Sequence, residues 1–548
     1  MAGRHRLLSQ IPVALVYPNT ARVGVSNLGF QFVSDVWEAH PLFSVERFFF
    51  ESADLLGRKG NERVVAQTSE KSLSRFPIIA FSLPFENDYP SVIRALLMND
   101  IPCFASERSV SDPLVLGGGV SISLNPEPLA LFFDVIFVGE IDETKGWTLF
   151  LDTLAAVHTE KVSGKAWDRS ELHRFKETPG AYIPEAYHFH FREDRCVDSI
   201  EASQGFPLPV QVVKRTSGTN RLPMASVKGK EAVFEDLILV EVNRGCGHGC
   251  RFCTSGWIHG PVRYRSLEQF SVQLQDKTLA RRTIGLIGSD LASHPQLLDL
   301  LNFIVRKGGK FSLSSIRPEG LTRKLLELIA ATGQKTITLA PETASPRMKK
   351  IIGKTLPDDL FFEKIEHLVA NGIPNVRFYF MVGLPTETDD DVSCIVDFVF
   401  EARRVFVSAS RLMKKIGRIS VQINSFVPKP WTPFQWTAME SPKDLERKIK
   451  IIRDGFAGIP NIVVRSESVR DSVLQGYISR GDRRVGKILY EALYQGRRLS
   501  AVLKGRESHA DFYIYRKRQS DEVFPWDVVD HGVKKKVLRR IFEKAMAG

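Results

Sequence analysis

Along the first 150 residues, short apolar runs alternate with stretches whose apolar positions recur every three or four residues. The runs are VALVYP (13–18), IIAFSL (78–83), PLVLGGG (113–119) and VIFVGE (135–140), and the stretches between them include LGFQFVSDVWEAH (28–40) and YPSVIRALLMNDI (89–101). Unbroken apolar runs suit strands buried on both faces, and helical spacing suits the crossovers that cover them. The alternation predicts an N-terminal, Rossmann-like doubly wound α/β domain over 1–150, a fold that binds ligands at the carboxyl ends of its strands.

Between 151 and 235 the alternation lapses. Helical segments, the YHFHF pattern at 187–191 and the turn-rich SGTNR at 217–221 read as an extended connector, with His188 and His190 as strand residues rather than metal ligands. A second series starts near 236: LILVEVN (237–243), TIGLIGS (283–289), KFSLSSI (310–316), KTITLAP (335–341), NVRFYFMVGLP (375–385) and RISVQINSFVP (418–428), separated by amphipathic stretches such as DDLFFEKIEHLVANG. These repeats predict a partial (β/α)6 barrel over 236–436, with its site at the strands' carboxyl ends. FVPKPWTPFQW (426–436), rigid from its three prolines, reads as a seal at the barrel end in preference to the lining of a substrate cleft. From 437 to 548 the chain reads as mainly helical and basic, opening at SPKDLERKIKIIRDGF with Ser441 as N-cap and Pro442 in the first turn.

At 548 residues the chain exceeds one ordinary core. No apolar run approaches a membrane span, and MAGRHRLLSQIPVALVYPN lacks the long apolar segment and cleavage site of a secretion signal. These features predict a cytoplasmic protein with no membrane partner. The net charge of +12 gathers at RLMKKIGR (411–418), RGDRRVGK (480–487) and KKKVLRR (534–540). Without interleaved aromatic residues, such runs read as solvated surface in preference to a nucleic-acid interface.

Of six cysteines, three fall within RGCGHGCRFCTSG (244–256), directly after the first strand of the second series. Cys246, Cys250 and Cys253 have the spacing C-x3-C-x2-C, and Gly245, Gly247 and Gly249 allow turns that aim three sulfurs at one point. Three thiolates can hold three corners of an iron–sulfur cubane and leave one iron open; a tetrahedral zinc needs His248 or His259 as a fourth ligand. The spacing favours the iron–sulfur cluster. Cys103, Cys196 and Cys394 stand singly.

This motif resembles the hallmark of the radical S-adenosylmethionine (SAM) superfamily, C-x3-C-x-aromatic-C after the first strand of a partial barrel. The resemblance spans 236–436. It implies a [4Fe–4S] cluster on Cys246, Cys250 and Cys253, with Phe252 beside the SAM adenine. It implies SAM contacts at Gly288, Ser289 and Asp290, where the family's Gly-Gly-Glu-like stretch has a longer acidic side chain. By the same resemblance Ser314 and Arg317, in SSIRPEG (314–320) at the end of the third strand, and Glu342 and Gly383 are further candidate SAM-binding residues. Glu342 lies in TLAPETASPRMKKIIGK (338–354), similar to a signature of radical SAM proteins related to the tRNA methylthiotransferases, and Gly383 lies in FYFMVGLPTET (378–388). The implied activity is reductive cleavage of SAM to methionine and a 5′-deoxyadenosyl radical that takes hydrogen from an unknown substrate, the electron coming from a reductant such as flavodoxin or ferredoxin.

The N-terminal segment resembles the cobalamin-binding-type domain that precedes many radical SAM cores, with Gly117, Gly118 and Gly119 where such a domain approaches the nucleotide tail. The signature for a histidine below cobalt is replaced by Tyr17-Pro18-Asn19-Thr20-Ala21-Arg22. SRGDRRVGKILYEALYQG (479–496) and FPWDVVDHGVKKKVL (524–538) extend the likeness to an uncharacterised radical SAM family with this domain order. Three alternatives stay open: a cobalamin-dependent radical SAM methyltransferase, an RNA-binding or RNA-modifying protein, and a zinc-stabilised module without catalysis.

Overall fold

The computed structural model describes residues 10–51, 64–141, 144–163, 168–214, 221–226, 237–274, 282–313, 315–413 and 416–547. Ser314, residues 217–220 of the SGTNR turn, and Lys414 and Lys415 of one basic run lie outside the described residues. The chain is α/β, with mainly parallel sheets and many helices, and divides into two units.

The first unit comprises residues 1–235, 474–514 and 519–532. Its sheet contains β1 (Ile11–Thr20), β2 (Phe43–Phe50), β3 (Val64–Ala66), β4 (Ile78–Ser82), β5 (Leu114–Gly118), β6 (Val135–Phe137) and β7 (Ala181–Tyr182), in the order β3-β2-β1-β4-β5-β6-β7. The five inner strands run parallel, and β3 and β7 close the edges antiparallel. Residues 13–18 of β1 are all buried, as a strand covered on both faces requires. Because β1 lies between β2 and β4, the strand order reverses at the β1–β4 junction, which leaves a crevice at their carboxyl ends. The periodicity did not announce β2, because Glu46 and Arg47 interrupt its apolar residues. The YHFHF stretch forms β8 (Tyr187–Phe191), a hairpin with β9 (Val197–Ala202), in which His190 meets Glu201 at an exposed 3.5 Å. Two shorter strands follow, β10 (Val210–Gln211) and β11 (Met224–Ser226).

The run RGDRRVGK belongs to this unit and is not a free basic surface. Arg480 is fully buried and donates from Nε to Tyr513 O at 3.0 Å. Arg483 grips buried Glu127 at 2.8 Å, while Arg484 pairs with Asp482 at 2.6 Å and stacks on Phe191. Buried cations are stable only with such partners, so much of this charge serves internal architecture.

The second unit comprises residues 236–473, 515–518 and 533–548. One of its parallel ladders joins β12 (Leu237–Arg244), β14 (Thr283–Gly288) and β15 (Lys310–Leu313), with the short β13 (Arg263–Tyr264) antiparallel to β12. Another joins β16 (Thr336–Glu342), β17 (Asn375–Val382), β18 (Arg418–Ser425) and β19 (Ile462–Ser466). A strand at 462–466 was not expected in a stretch read as helical. The two ladders meet at a seam: the Gln334 amide accepts from Leu313 N and donates to Leu313 O, both at 3.1 Å, and Ile316 N donates to Thr338 O. One face of the second ladder packs on the helices Asp358–Ala370 and Asp389–Leu412 through Phe378, Phe380, Phe361 and Phe398. Ser441 caps the helix Pro442–Gly455 by accepting from Asp444 N, as the sequence suggested. FVPKPWTPFQW is almost entirely buried, and Trp436 stacks on Phe542 of the helix Lys535–Met546. No described helix is long and apolar enough to cross a membrane.

Candidate metal centre

The cysteine loop leaves the carboxyl end of β12. Gly245 and Gly249 adopt φ of +86° and +65°, which side-chain-bearing residues disfavour, and a Cβ on Gly245 would lie 2.6 Å from His259 O. Gly247 has no positive φ, so two of the three glycines make the turns. Cys246, Cys250 and Cys253 are free thiols, each partly buried. Burial pushes the Cys246 thiol up, with the Asp290 and Cys253 charges adding to the effect and Arg317 opposing it. Burial likewise raises the Cys250 thiol, reinforced by Cys253 and Glu342 and opposed by Lys354 and Arg317. The cysteines follow β12, Asp290 follows β14, Arg317 follows β15, and Glu342, paired with Lys354, ends β16, so all stand toward carboxyl ends of these strands. A cation bound there would lower both thiols and replace the protons as ligand charge.

Three links hold the loop, and the sequence announced none of them. Arg251 donates from Nη1 to Lys350 O and Ile351 O, each at 2.8 Å, and its backbone N–H donates to Ile352 O at 2.9 Å. It thereby satisfies the exposed carbonyls at the end of the helix Pro346–Ile352. Trp257 Nε1 donates to Cys250 O at 3.1 Å. His248 Nε2 meets Asp290 Oδ2 at 2.8 Å, and Ser293 donates to the same oxygen. The Sγ of Cys246, a ring nitrogen of His248 and a carboxylate oxygen of Asp290 lie within 4.8 Å of one another. Asp290 thus faces the loop, with its Oδ2 committed to His248 and Ser293.

The remaining residues divide. Gly288 has Asn243 against it, such that a Cβ would fall 1.9 Å from Asn243 Oδ1; its small size is needed for packing. Ser289 is exposed and Phe252 half-buried. Arg317 binds Glu319 through Nη2 at 2.8 Å. Buried Arg317 Nε, Asp290 Oδ1 and Asn243 Oδ1 have no hydrogen-bond partner among the described residues. Unpaired buried polar atoms cost roughly 1–3 kcal/mol each, so Arg317 Nε and Asp290 Oδ1 would gain from a polar ligand, whereas Asn243 Oδ1 is closed off by Gly288. Glu342 takes φ +69°, unusual for a side-chain-bearing residue, and its carboxylate binds Lys354 at 3.0 Å. Gly383, at φ +82°, donates to Glu387 Oε2 at 2.7 Å, and a Cβ there would strike Leu445 at 2.5 Å.

The donor set fits a three-thiolate cluster: three reduced sulfurs on a turn held from three sides, with unmet polar groups for a ligand on the open iron. A Cys3His zinc set would have to break the His248–Asp290 pair or recruit His259.

The first unit holds a second cavity, about 60 Å³, at the carboxyl ends of β1, β4, β5 and β6. Leu15, Trp37, Phe81, Gly117, Gly118 and Trp147 are among the residues lining it. It is apolar, and the glycines bring backbone to its wall.

A family model described as radical SAM superfamily matches residues 240–399, and one described as radical SAM proteins, N-terminal, matches residues 29–184. The chain is 24% identical over 496 residues to an uncharacterized protein of Methanocaldococcus jannaschii, covering 90% of this chain and 94% of that one. It is 25% identical over 225 residues to the ribosomal protein uS12 methylthiotransferase RimO of Moorella thermoacetica, covering 38% of this chain and 51% of that protein. The chain therefore spans about half the length of that relative. In fold it is similar to the radical S-adenosylmethionine methyltransferase TsrM from Kitasatospora setae, solved with tryptophan substrate and the SAM analog aza-SAM, at TM-score 0.52 and 12% identity over 89% of this chain and 96% of that one.

Proposed function

The chain is a radical SAM enzyme, carrying both the superfamily domain and its N-terminal companion, and from that premise we propose that Cys246, Cys250 and Cys253 hold its [4Fe–4S] cluster. The cluster, when bound, supplies one electron to the sulfonium of SAM, whose C5′–S bond breaks to give methionine and a 5′-deoxyadenosyl radical for substrate hydrogen abstraction. The observation that carries the assignment is the gathering of three free thiols with unpaired Arg317 Nε and Asp290 Oδ1 on one set of strand ends.

In this reading the ladders β12-β14-β15 and β16-β17-β18 form the two halves of a partial barrel, stitched by Gln334. Arg251 and Trp257 fix the loop, Asp290 orients His248, and Glu342 and Arg317 face SAM. The unmatched Arg317 N–H suits a carboxylate, and the carboxylate of Asp290 or Glu342 suits an ammonium. Phe252, Ser289, Ser314 and Gly383 complete the proposed SAM contacts. A low-potential protein such as flavodoxin or ferredoxin is the proposed reductant, and the protein is proposed to work in the cytoplasm.

Anaerobic reconstitution with iron and sulfide, followed by reduction in the presence of SAM, is expected to yield 5′-deoxyadenosine and methionine in equal amounts. A reconstituted, reduced protein that leaves SAM intact overturns the assignment, as does a protein that retains zinc and remains colourless.

A second reading concerns the first unit. The apolar cavity at the β1–β4 switch point, with Gly117 and Gly118 in its wall, lies where a doubly wound sheet takes its ligand, which makes it the place to test the domain's likeness to cobalamin-binding domains. At the end of β1, Asn19 occupies the stretch where the family's histidine signature would stand, and it donates to Asp88 at 2.9 Å. These residues therefore offer a cobalamin no axial imidazole. Equilibrium dialysis with hydroxocobalamin decides the matter: one equivalent bound, and lost in Gly118→Trp, supports a methyltransferase-type cofactor set, and no binding removes it.

A further inference from the structure

The four-stranded ladder of the second unit has one face covered by helices and another that is polar and open. The parallel register aligns Thr336, Asn375 and Arg418 in one row, Arg377, Ser420 and Val463 in the next, and Tyr379, Gln422 and Arg465 in a third. Laterally paired residues of a parallel sheet point to the same side, and so do residues two apart on one strand. All nine therefore share the face opposite Phe378 and Phe380. They line a single cavity of about 840 Å³ that opens at the amino ends of β16, β17, β18 and β19. The cysteine loop leaves a strand's carboxyl end, so this mouth is at the other rim.

We infer that this cavity binds a small phosphate-bearing ligand, through Arg377, Arg418 and Arg465. Among the described residues, three cations and no carboxylate line it. With no carboxylate beside them, these guanidinium groups are available to an anionic ligand. Some exposed arginines elsewhere in the chain hold carboxylates of nearby segments, as Arg323 with Glu327, Arg404 with Glu401 and Arg539 with Glu543. Arg377, Arg418 and Arg465 have no such ion pair among the described residues. A concave wall with one sign of charge also focuses potential more than a flat surface does.

The size and chemistry select the ligand class. Strands about 4.8 Å apart with a rise of about 3.3 Å per residue put the Cα atoms of Arg377 and Arg465 about 12 Å apart, across a cavity in the range of small-ligand pockets. Guanidinium groups bind phosphate oxygens in pairs. Tyr379 and Gln422 add neutral donors between them. A long nucleic acid would want a stripe along the surface, not a concave bowl. The site needs neither cluster nor SAM, so its test is separate from that of the radical chemistry.

Inorganic pyrophosphate titrated calorimetrically into the full-length protein is expected to bind, with affinity reduced at least tenfold in Arg377→Gln and in Arg465→Gln and unchanged in Arg323→Gln. Wild-type protein treated with phenylglyoxal is expected to show Arg377, Arg418 and Arg465 protected by pyrophosphate in peptide mass spectra, a readout that does not depend on any variant folding. The inference is overturned by the absence of binding, by equal weakening in Arg323→Gln, by unprotected arginines, or by an oligonucleotide that binds the three arginines while pyrophosphate does not.

Discussion

Cys246, Cys250 and Cys253 stand on one turn, which Asp290 meets through His248. Alanine at Cys246, Cys250 or Cys253 is expected to remove the brown absorbance and 5′-deoxyadenosine formation together, whereas Cys103→Ala and Cys394→Ala keep both; visible spectra of reconstituted protein check this. Asp290→Asn retains all three thiols but weakens the charge-assisted bonds to His248 and Ser293. Such bonds are worth about 1.5–3 kcal/mol, so SAM cleavage is expected to fall roughly tenfold or more while thiol titration is unchanged. The cysteine spacing was legible from the sequence because ligands within eight residues are positioned by local turns. The partner of His248 was not legible, since Asp290 stands 42 residues away and nothing local marks it.

At the scale of elements, the cysteine loop depends on the helix Pro346–Ile352, whose final carbonyls Arg251 satisfies. Arg251→Gln is expected to destabilise the protein by about 1–3 kcal/mol, read as a fall in thermal midpoint, and to speed cluster loss in air. Strands with unbroken apolar runs, such as β1 and β4, were readable because burial on both faces leaves that signature. β2 and β19 were not: Glu46 and Arg47 interrupt the first, and Arg465 within five residues shortens the second. The charged residues on β17, β18 and β19 looked like scattered polar positions until register aligned them on one face.

For the molecule as a whole, ionisation couples to folding in the first unit. Burial pushes Asp88 up to about 7, opposed by the Asn19 hydrogen bond and assisted by the Glu86 charge. The folded state thus keeps a proton that the unfolded chain releases near pH 4. Stability from this group is complete below about pH 4 and is lost as the pH rises through about 7. Thermal unfolding monitored from pH 4 to 8 is expected to show this decline, and Asp88→Asn to flatten it.

By itself, the sequence determined the local features: the two series of strands and helices, the cap at Ser441, and the thiol triad with the chemistry that three sulfurs permit. Each rests on residues a few positions apart, where covalent geometry and periodic burial leave few choices. Only the tertiary structure decided which distant residues meet. Residues 474–532 largely join the first unit because Asn125, Glu127 and Ser123 find Gly481, Arg483 and His531 there. The same holds for the three arginines in one bowl and Asp290 against the cysteine loop, because contacts across tens or hundreds of residues are selected by the packing of the entire core, and no local stretch records that sum.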